Sequence, residues 1–224
     1  MKEQFNEIIK SQDLREITMD LVEKVLDNEI TTEGLKEIPI LKYLVAAKRL
    51  YSSYTDRIFI KKAMHVLLEL EEVNWTERVE LTSELDDENG SGAEKILMAI
   101  DRLESIEKCK VYGRLCKLRA LGKIDKPDFK RLTKLIQDAY LDDLILVTDF
   151  KKDERKEIWE GDYYAIIALG LLFQEPSEQK PIERNDERFG SEFIGGEIKF
   201  IYLLSSIGNV LLEHYYELFP KDKE

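Results

Sequence analysis

The sequence has 224 residues, a formal net charge of −12 and a 43% share of hydrophobic residues. This length and composition can build a core in one large domain or in two small ones. Charged residues make up 36% of the chain and prolines number only five, which favours long helices with solvated faces. An acidic chain repels nucleic acid and anionic membranes, so either partner would require a local basic patch.

The two cysteines indicate a reducing compartment. Cys109 and Cys116 lie seven residues apart in a helical stretch, hence about 10 Å apart along the axis, too far for a disulfide. We expect both to be small apolar residues of the core. Because Met1–Phe5 shows no secretory leader and there is no disulfide framework, the predicted location is the cytoplasm.

Capping and turn signals divide the first ninety or so residues into helices. Capping boxes at Asp13–Glu16 and Asn74–Glu77 predict two helix starts, and Thr55 can cap the helix between them. Asp86–Gly92, with the sequence DDENGSG, predicts an exposed loop before the next helix.

A helical hairpin is predicted over Glu107–Asp143. Its first helix begins near Lys108 and ends at Gly122, a residue type that favours the position after a helix. Asp125 caps the second helix, which the apolar spacing extends to about Val147.

The sequence pattern changes after residue 150. A charged hinge, Lys151–Glu160, marks the predicted boundary between a domain at 1–150 and a domain at 151–224. The predicted order after the hinge is a helix at Asp162–Leu172 leading into a strand, a polar loop at Glu175–Gly196, a strand at Ile198–Leu203 and a helix at Ser205–Leu218. The fold class is therefore mainly α: a multi-helical N-terminal domain followed by a small α+β domain built on one β-hairpin.

The C-terminal segment resembles the end of a winged-helix module. Leu169–Gly170–Leu171 precedes the first strand, and Ile207–Gly208 opens the last helix, as in modules where a helix leads into a two-stranded wing. The resemblance implies a winged-helix-like C-terminal domain. Residues 175–199 hold seven acids and four bases, so the tip departs from a DNA-binding wing.

The stretches IPILKYL, DRIFIKKAMHVLLEL and KCKVYGRLCKLRALGKIDKPDFKRL resemble an uncharacterised bacterial helical family. Their common feature is hydrophobic spacing. The resemblance implies a helical fold and a prophage or defence context, and it transfers no catalytic residue.

No catalytic or metal-binding constellation emerges from the sequence. The only histidines, His65 and His214, lie in helical stretches without a partner at catalytic or zinc-ligand spacing. Gly90–Ser91–Gly92 opens a helix whose amides could hold an anion, but the phosphate-loop spacing is absent and Glu94 opposes an anion. The predicted protein is not an enzyme and needs no cofactor or metal.

Charge is segregated along the chain. Residues 69–107 carry thirteen acids and three bases, whereas residues 108–134 carry ten bases and two acids. Helical spacing places two basic rows on the predicted hairpin, and these rows are the predicted partner-binding residues: Lys110, Arg114, Lys117, Lys126, Lys130 and Lys134. These bases either neutralise the acidic helices, within or between subunits, or bind an acidic partner, a phosphate-rich ligand or nucleic acid.

The leading hypothesis is a non-catalytic protein-interaction or regulatory protein that self-associates, with a protein partner or a homo-oligomer in preference to a small molecule. One alternative is a nucleic-acid-binding regulator using the basic hairpin 108–134. Another is a peripheral membrane protein using residues 38–54, where tyrosines and bases could form an interfacial helix. Under the nucleic-acid alternative, replacing Arg114, Lys117 and Lys130 by Glu abolishes salt-sensitive binding.

Overall fold

The computed structural model describes residues 2–26, 54–88, 90–158, 160–176, 182–186, 190–194 and 200–220. It is mainly helical, as predicted, with small antiparallel sheets. The chain divides into two compact units. Unit 1 comprises residues 1–138 and 216–224, and unit 2 comprises residues 139–215. The predicted domain boundary at 150/151 lies inside unit 2.

Unit 1 is built from helices. They are α1 (Lys2–Ile9), α2 (Leu14–Leu26), α3 (Tyr54–Glu71), α4 (Trp75–Leu85), α5 (Gly92–Arg102), α6 (Ile106–Ala120) and α7 (Lys126–Asp138). The short helix α10 (Tyr215–Leu218) lies where the chain passes from unit 2 back into unit 1.

Helices α3 and α6 form the centre of unit 1. Val66 and Leu67 on α3 and Leu115 on α6 are completely buried. Gly113 lets the two helices approach closely, because a Cβ atom there would lie 2.9 Å from the Cβ of Glu69 and 3.1 Å from the Cα of Val66. The α3–α6 packing therefore requires a residue without a side chain at position 113.

Three of the predicted local signals are confirmed. Asn74 and Glu77 form a reciprocal capping box at the start of α4. Gly122 has φ +69° and ends α6 in a Schellman motif, with Gly122 N donating to Arg119 O and Lys123 N donating to Leu118 O. The Asp125 carboxylate caps α7 by accepting from Asp128 N at 2.7 Å.

Two helix boundaries differ from the prediction. Helix α3 begins at Tyr54, one residue before the predicted cap position Thr55. Helix α7 ends at Asp138 rather than near Val147, and a 3₁₀ helix follows at Leu141–Asp149. Leu144, Val147 and Phe150 are buried at intervals of three residues. This period aligns side chains in a 3₁₀ helix, so burial favours the tighter helix over a continuation of α7.

Unit 2 contains two β-hairpins, and the strands of one lie between the strands of the other in the sequence. Its elements are the 3₁₀ helix, α8 (Glu160–Ala168), β1 (Leu172–Pro176), β2 (Ile182–Asp186), β3 (Gly190–Ile194), β4 (Phe200–Leu204) and α9 (Ser206–Glu213). Strand β1 pairs antiparallel with β4, and β2 pairs antiparallel with β3.

The outer hairpin matches the predicted helix–strand and strand–helix order. The prediction of a single hairpin with a loop at Glu175–Gly196 is wrong, because that segment contains β2 and β3. Backbone groups form the ladder between these strands, so their polar sequence does not prevent pairing. The predicted closing helix is also interrupted, since α9 ends at Glu213 and α10 begins at Tyr215.

Candidate interaction site

The predicted helical hairpin exists as α6 and α7, which run in opposite directions. Lys108, near the start of α6, donates from Nζ to the carbonyl of Gln137 near the end of α7 at 2.9 Å. The rings of Tyr112 and Phe129 lie 6.2 Å apart, and both are buried. These aromatic side chains belong to the core of unit 1 and present no face on which a nucleic-acid base could stack.

Arg114 and Lys117 extend from α6 towards the acidic end of α3. The Nε atom of Arg114 lies 3.0 Å from Oε1 of Glu69, and Lys117 forms an ion pair with Glu72. Arg114 also donates from Nη1 to the carbonyl oxygen of Leu218, at 3.0 Å. Both predicted binding residues therefore already connect elements of their own unit.

Three of the other four predicted residues also contact groups of unit 1. Lys110 pairs with Glu107 at 2.8 Å on the same helix, and Lys134 pairs with Asp138 at 2.8 Å. The ammonium of Lys126 donates to the backbone carbonyl of Glu84 in α4.

Lys130 is the remaining member of the six. It is exposed on α7, and none of the described acids lies within ion-pair distance of it. The structure therefore does not gather the six residues into one array of free bases: their partners are on α3, on α4 and on their own helices.

A cleft of about 380 Å³ lies beside the Arg114 and Lys117 ion pairs, within unit 1. It is lined by Glu69, Glu72, Arg114, Lys117, Leu118, Tyr216, Glu217 and Pro220. Burial raises the pKa of Glu69, although Arg114 and Lys117 oppose that shift. Because its acids and bases already neutralise each other, the cleft accepts a charged group only by exchanging ion pairs.

Two bases that the sequence analysis did not single out are buried. Arg78 is 4% exposed and donates to the carbonyls of Ile9, Ser11 and Val73. Lys108 is also 4% exposed and binds the Gln137 carbonyl. Their burial depends on acceptors far away along the chain, Ile9 and Ser11 for Arg78 and Gln137 for Lys108.

The cysteine and histidine side chains, which were the candidates for catalysis or metal binding, are buried or half-buried. Both cysteines are free and buried, as predicted, and burial raises the pKa of Cys109 to about 11 and that of Cys116 to about 12. His65 is half-buried, and burial together with Lys110 lowers its pKa. His214 is buried at the end of α9.

Backbone amides at the start of α5 already donate hydrogen bonds to side chains of the same chain. Gly92 N donates to Oδ1 of Asp86 at 2.6 Å, and Glu94 N donates to the hydroxyl of Ser91. Lys95 pairs with Asp87. An anion at this helix start would compete with the Asp86 carboxylate for the Gly92 amide.

The described part of the chain contains neither a membrane-spanning helix nor a metal-binding cluster. None of its helices is long and apolar enough to cross a membrane. No group of three or more His, Cys, Asp or Glu side chains in the same residues could hold a metal ion. Most of the membrane-binding candidate, residues 38–54, lies outside the described residues.

No protein-family model, curated protein or solved structure matches this chain.

Proposed function

We propose that this chain is a non-catalytic protein-interaction or regulatory protein of the bacterial cytoplasm, that it self-associates, and that unit 2 is a winged-helix-like module. The observation that carries this proposal is the charge pairing around α6 and α7. Five of the six predicted basic residues contact acids or carbonyls of their own unit. These five bases are therefore already engaged within their own unit, on α3, on α4 and on their own helices.

This pairing weakens the case for nucleic acid. Phosphate binding gains free energy when free Lys and Arg side chains displace condensed counterions. Arg114 and Lys117 would first have to leave Glu69 and Glu72, and those carboxylates would then face the phosphates. A phosphate contact by either of these two bases would thus cost an existing ion pair and leave a repulsive acid close by.

Exposed aromatic and apolar side chains support a protein partner instead. In unit 2, Tyr140, Tyr164 and Phe173 are 78%, 72% and 56% exposed. Aromatic residues are enriched in protein–protein interfaces, where a rigid ring buries a large area at little entropic cost. Single exposed apolar residues are common on any protein, so the experiment has to measure association directly.

Light scattering coupled to size-exclusion chromatography, at low and at high salt, tests the proposal. We expect a mass above the 26.3 kDa of one chain and the absorbance spectrum of protein alone. A monomer at every concentration and salt would contradict self-association. Co-purifying nucleic acid that is shed at high salt would favour the alternative that uses residues 108–134.

A matched pair of variants distinguishes the two partner classes. Lys130→Glu reverses the exposed base on α7, and Lys152→Glu makes the same change in an exposed part of unit 2. If the basic hairpin binds nucleic acid, only Lys130→Glu weakens binding and reduces its salt dependence. We expect neither variant to alter the self-association, because neither base contributes a described ion pair.

A further inference from the structure

The cleft of unit 1 has an acidic wall and a basic wall. Glu69 on α3 and Glu72 just beyond the end of that helix form the acidic wall, and Arg114 and Lys117 on α6 form the basic wall. The walls meet where Arg114 Nε lies 3.0 Å from Glu69 Oε1 and where Lys117 pairs with Glu72. A molecule in this cleft therefore lies beside two carboxylates and two cationic groups at once.

Much of the remaining lining is apolar. Leu118 is buried, Tyr216 is 64% exposed, and Pro220 follows α10. Small-molecule sites combine such apolar surface with a few convergent polar groups, in volumes of about 300–1,000 Å³. The volume of about 380 Å³ lies at the lower end of this range, which suits a molecule of amino-acid size.

The charges that line the cleft balance one another. The third acid of the lining, Glu217, forms an ion pair with Lys123, which leaves two acids facing two bases. A ligand with only a negative charge is attracted by the bases but repelled by the carboxylates beside them, and the reverse holds for a ligand with only a positive charge. A ligand that carries both charges avoids this repulsion, because it exchanges one ion pair for another of the same kind.

The two bases retain donors for a ligand. A guanidinium has five N–H donors, and the described contacts of Arg114 use Nε, towards Glu69, and Nη1, towards the Leu218 carbonyl. An ammonium has three N–H donors, and the described ion pair of Lys117 is with Glu72. One ligand carboxylate can therefore accept hydrogen bonds from both bases.

Glu69 is the acid of the cleft that gains from a ligand cation. Burial raises its pKa, and the charges that act on it are Arg114, Lys117 and Glu72. A partly desolvated carboxylate with a specific charge partner in a cleft is typical of a functional site. A ligand ammonium beside Glu69 offsets the cost of burial in the way that Arg114 does in the structure.

We propose that this cleft binds an α-amino acid as its zwitterion, a site that goes beyond the proposed function and does not depend on self-association. The ligand carboxylate accepts from Arg114 and Lys117, and its ammonium donates to Glu69 and Glu72. Because the acidic and basic walls touch, the two charges of the ligand must also lie close together, as they do on a single α-carbon. The ligand side chain packs on the apolar part of the lining.

Isothermal titration calorimetry of the full chain with L-phenylalanine tests this site. Phenylethylamine lacks the carboxylate of this probe, and hydrocinnamate lacks its ammonium. We expect one molecule of L-phenylalanine to bind per chain and each analogue to bind at least about tenfold more weakly, because each loses one charge-assisted contact. Equal binding of L-phenylalanine and either analogue, or no binding of L-phenylalanine, overturns the proposal.

Lys117→Met provides a second test. Glu72 is 68% exposed, so this variant leaves no buried charge unpaired and is expected to fold. It should weaken the binding of L-phenylalanine about tenfold. Lys134→Met is the matched control and should leave the binding unchanged, because Lys134 pairs with Asp138 and does not line the cleft.

Equal binding of L-phenylalanine by the wild type and by Lys117→Met also overturns the site. Light scattering measures the mass of the chain independently of this ligand. The failure of the amino-acid site is therefore distinguishable from a failure of the proposed self-association.

Discussion

Replacing Arg78 by Met tests the buried guanidinium that joins two helix ends of unit 1. Arg78 donates from Nε to the Ile9 carbonyl at 2.8 Å, and its other nitrogens donate to the carbonyls of Ser11 and Val73. Ile9 and Ser11 lie at the end of α1, and Val73 follows the end of α3. The guanidinium thus neutralises the negative ends of two helix dipoles with donors that Met lacks.

The expected loss follows from the three carbonyls that Met leaves without a donor. A buried acceptor without a partner costs about 1–3 kcal/mol. The lower value applies here, because the Ser11 contact is only partly buried and removing the charge also removes its desolvation cost. Arg78→Met should therefore lower the free energy of unfolding by about 3 kcal/mol, or the melting temperature by about 6–12 °C.

Urea unfolding followed by tryptophan fluorescence measures this loss, since the indole of nearby Trp75 donates to the Lys10 carbonyl. We expect the midpoint to fall while the slope stays constant. Arg102→Met, at an exposed position of α5, is the control and should leave the midpoint unchanged. A loss below about 1 kcal/mol for Arg78→Met would show that water replaces the guanidinium at these carbonyls, which would refute the reasoning.

Three further predictions concern unit 1. Gly113→Ala forces a Cβ atom against Glu69 and should destabilise the chain by about 1–3 kcal/mol in the same urea experiment. The pKa of His65, read by NMR titration, should lie below 6.5, and Lys110→Gln should raise it because Lys110 opposes the charged imidazole. In the wild-type chain, unfolded His65 binds a proton more tightly than folded His65 does. The free energy of unfolding should therefore decrease as the pH falls from 6.5 through the folded-state pKa. Cys109 and Cys116 should not react with a thiol reagent until the chain unfolds, because their raised pKa values and burial leave almost no accessible thiolate.

Each of these predictions has a contradicting result. An unchanged urea midpoint for Gly113→Ala would mean that α3 and α6 separate without cost. Lys130→Gln is the control for the histidine titration, because Lys130 is not among the charges that shift the pKa of His65, and an equal pKa shift from that substitution would rule out a specific effect of Lys110. Rapid labelling of either cysteine in the folded chain would contradict their burial.

Features that depend on neighbouring residues could be predicted from the sequence. The Asn74 capping box, the Gly122 Schellman motif and the Asp125 cap each join residues within five positions of one another, so their geometry is specified locally. The mainly helical class follows from apolar spacing, which repeats over many residues. The same reasoning failed after Asp138, where Leu144, Val147 and Phe150 fit a 3₁₀ helix as well as an α-helix and burial decided between them.

The candidate site was only partly predictable. Counting charges located the basic block at 108–134, and the alternative in which it neutralises acidic helices was already evident. Which acid each base contacts depends on the packing of α6 against α3, which brings Arg114 to Glu69 and Lys117 to Glu72, each 45 residues away in the chain. Side-chain pairing at that distance leaves no periodic signal.

By itself, the sequence determined where helices begin and end around its caps, that the cysteines belong to the core, and that charge is segregated along the chain. The tertiary structure alone decided that Arg78 joins two helix ends, that Glu175–Gly196 contains a second hairpin, and that Arg155 reaches across β4 to Glu175. The physical reason is the range of the interactions. Capping depends on nearby residues, whereas burial, strand pairing and ion pairs between elements depend on which distant segments meet.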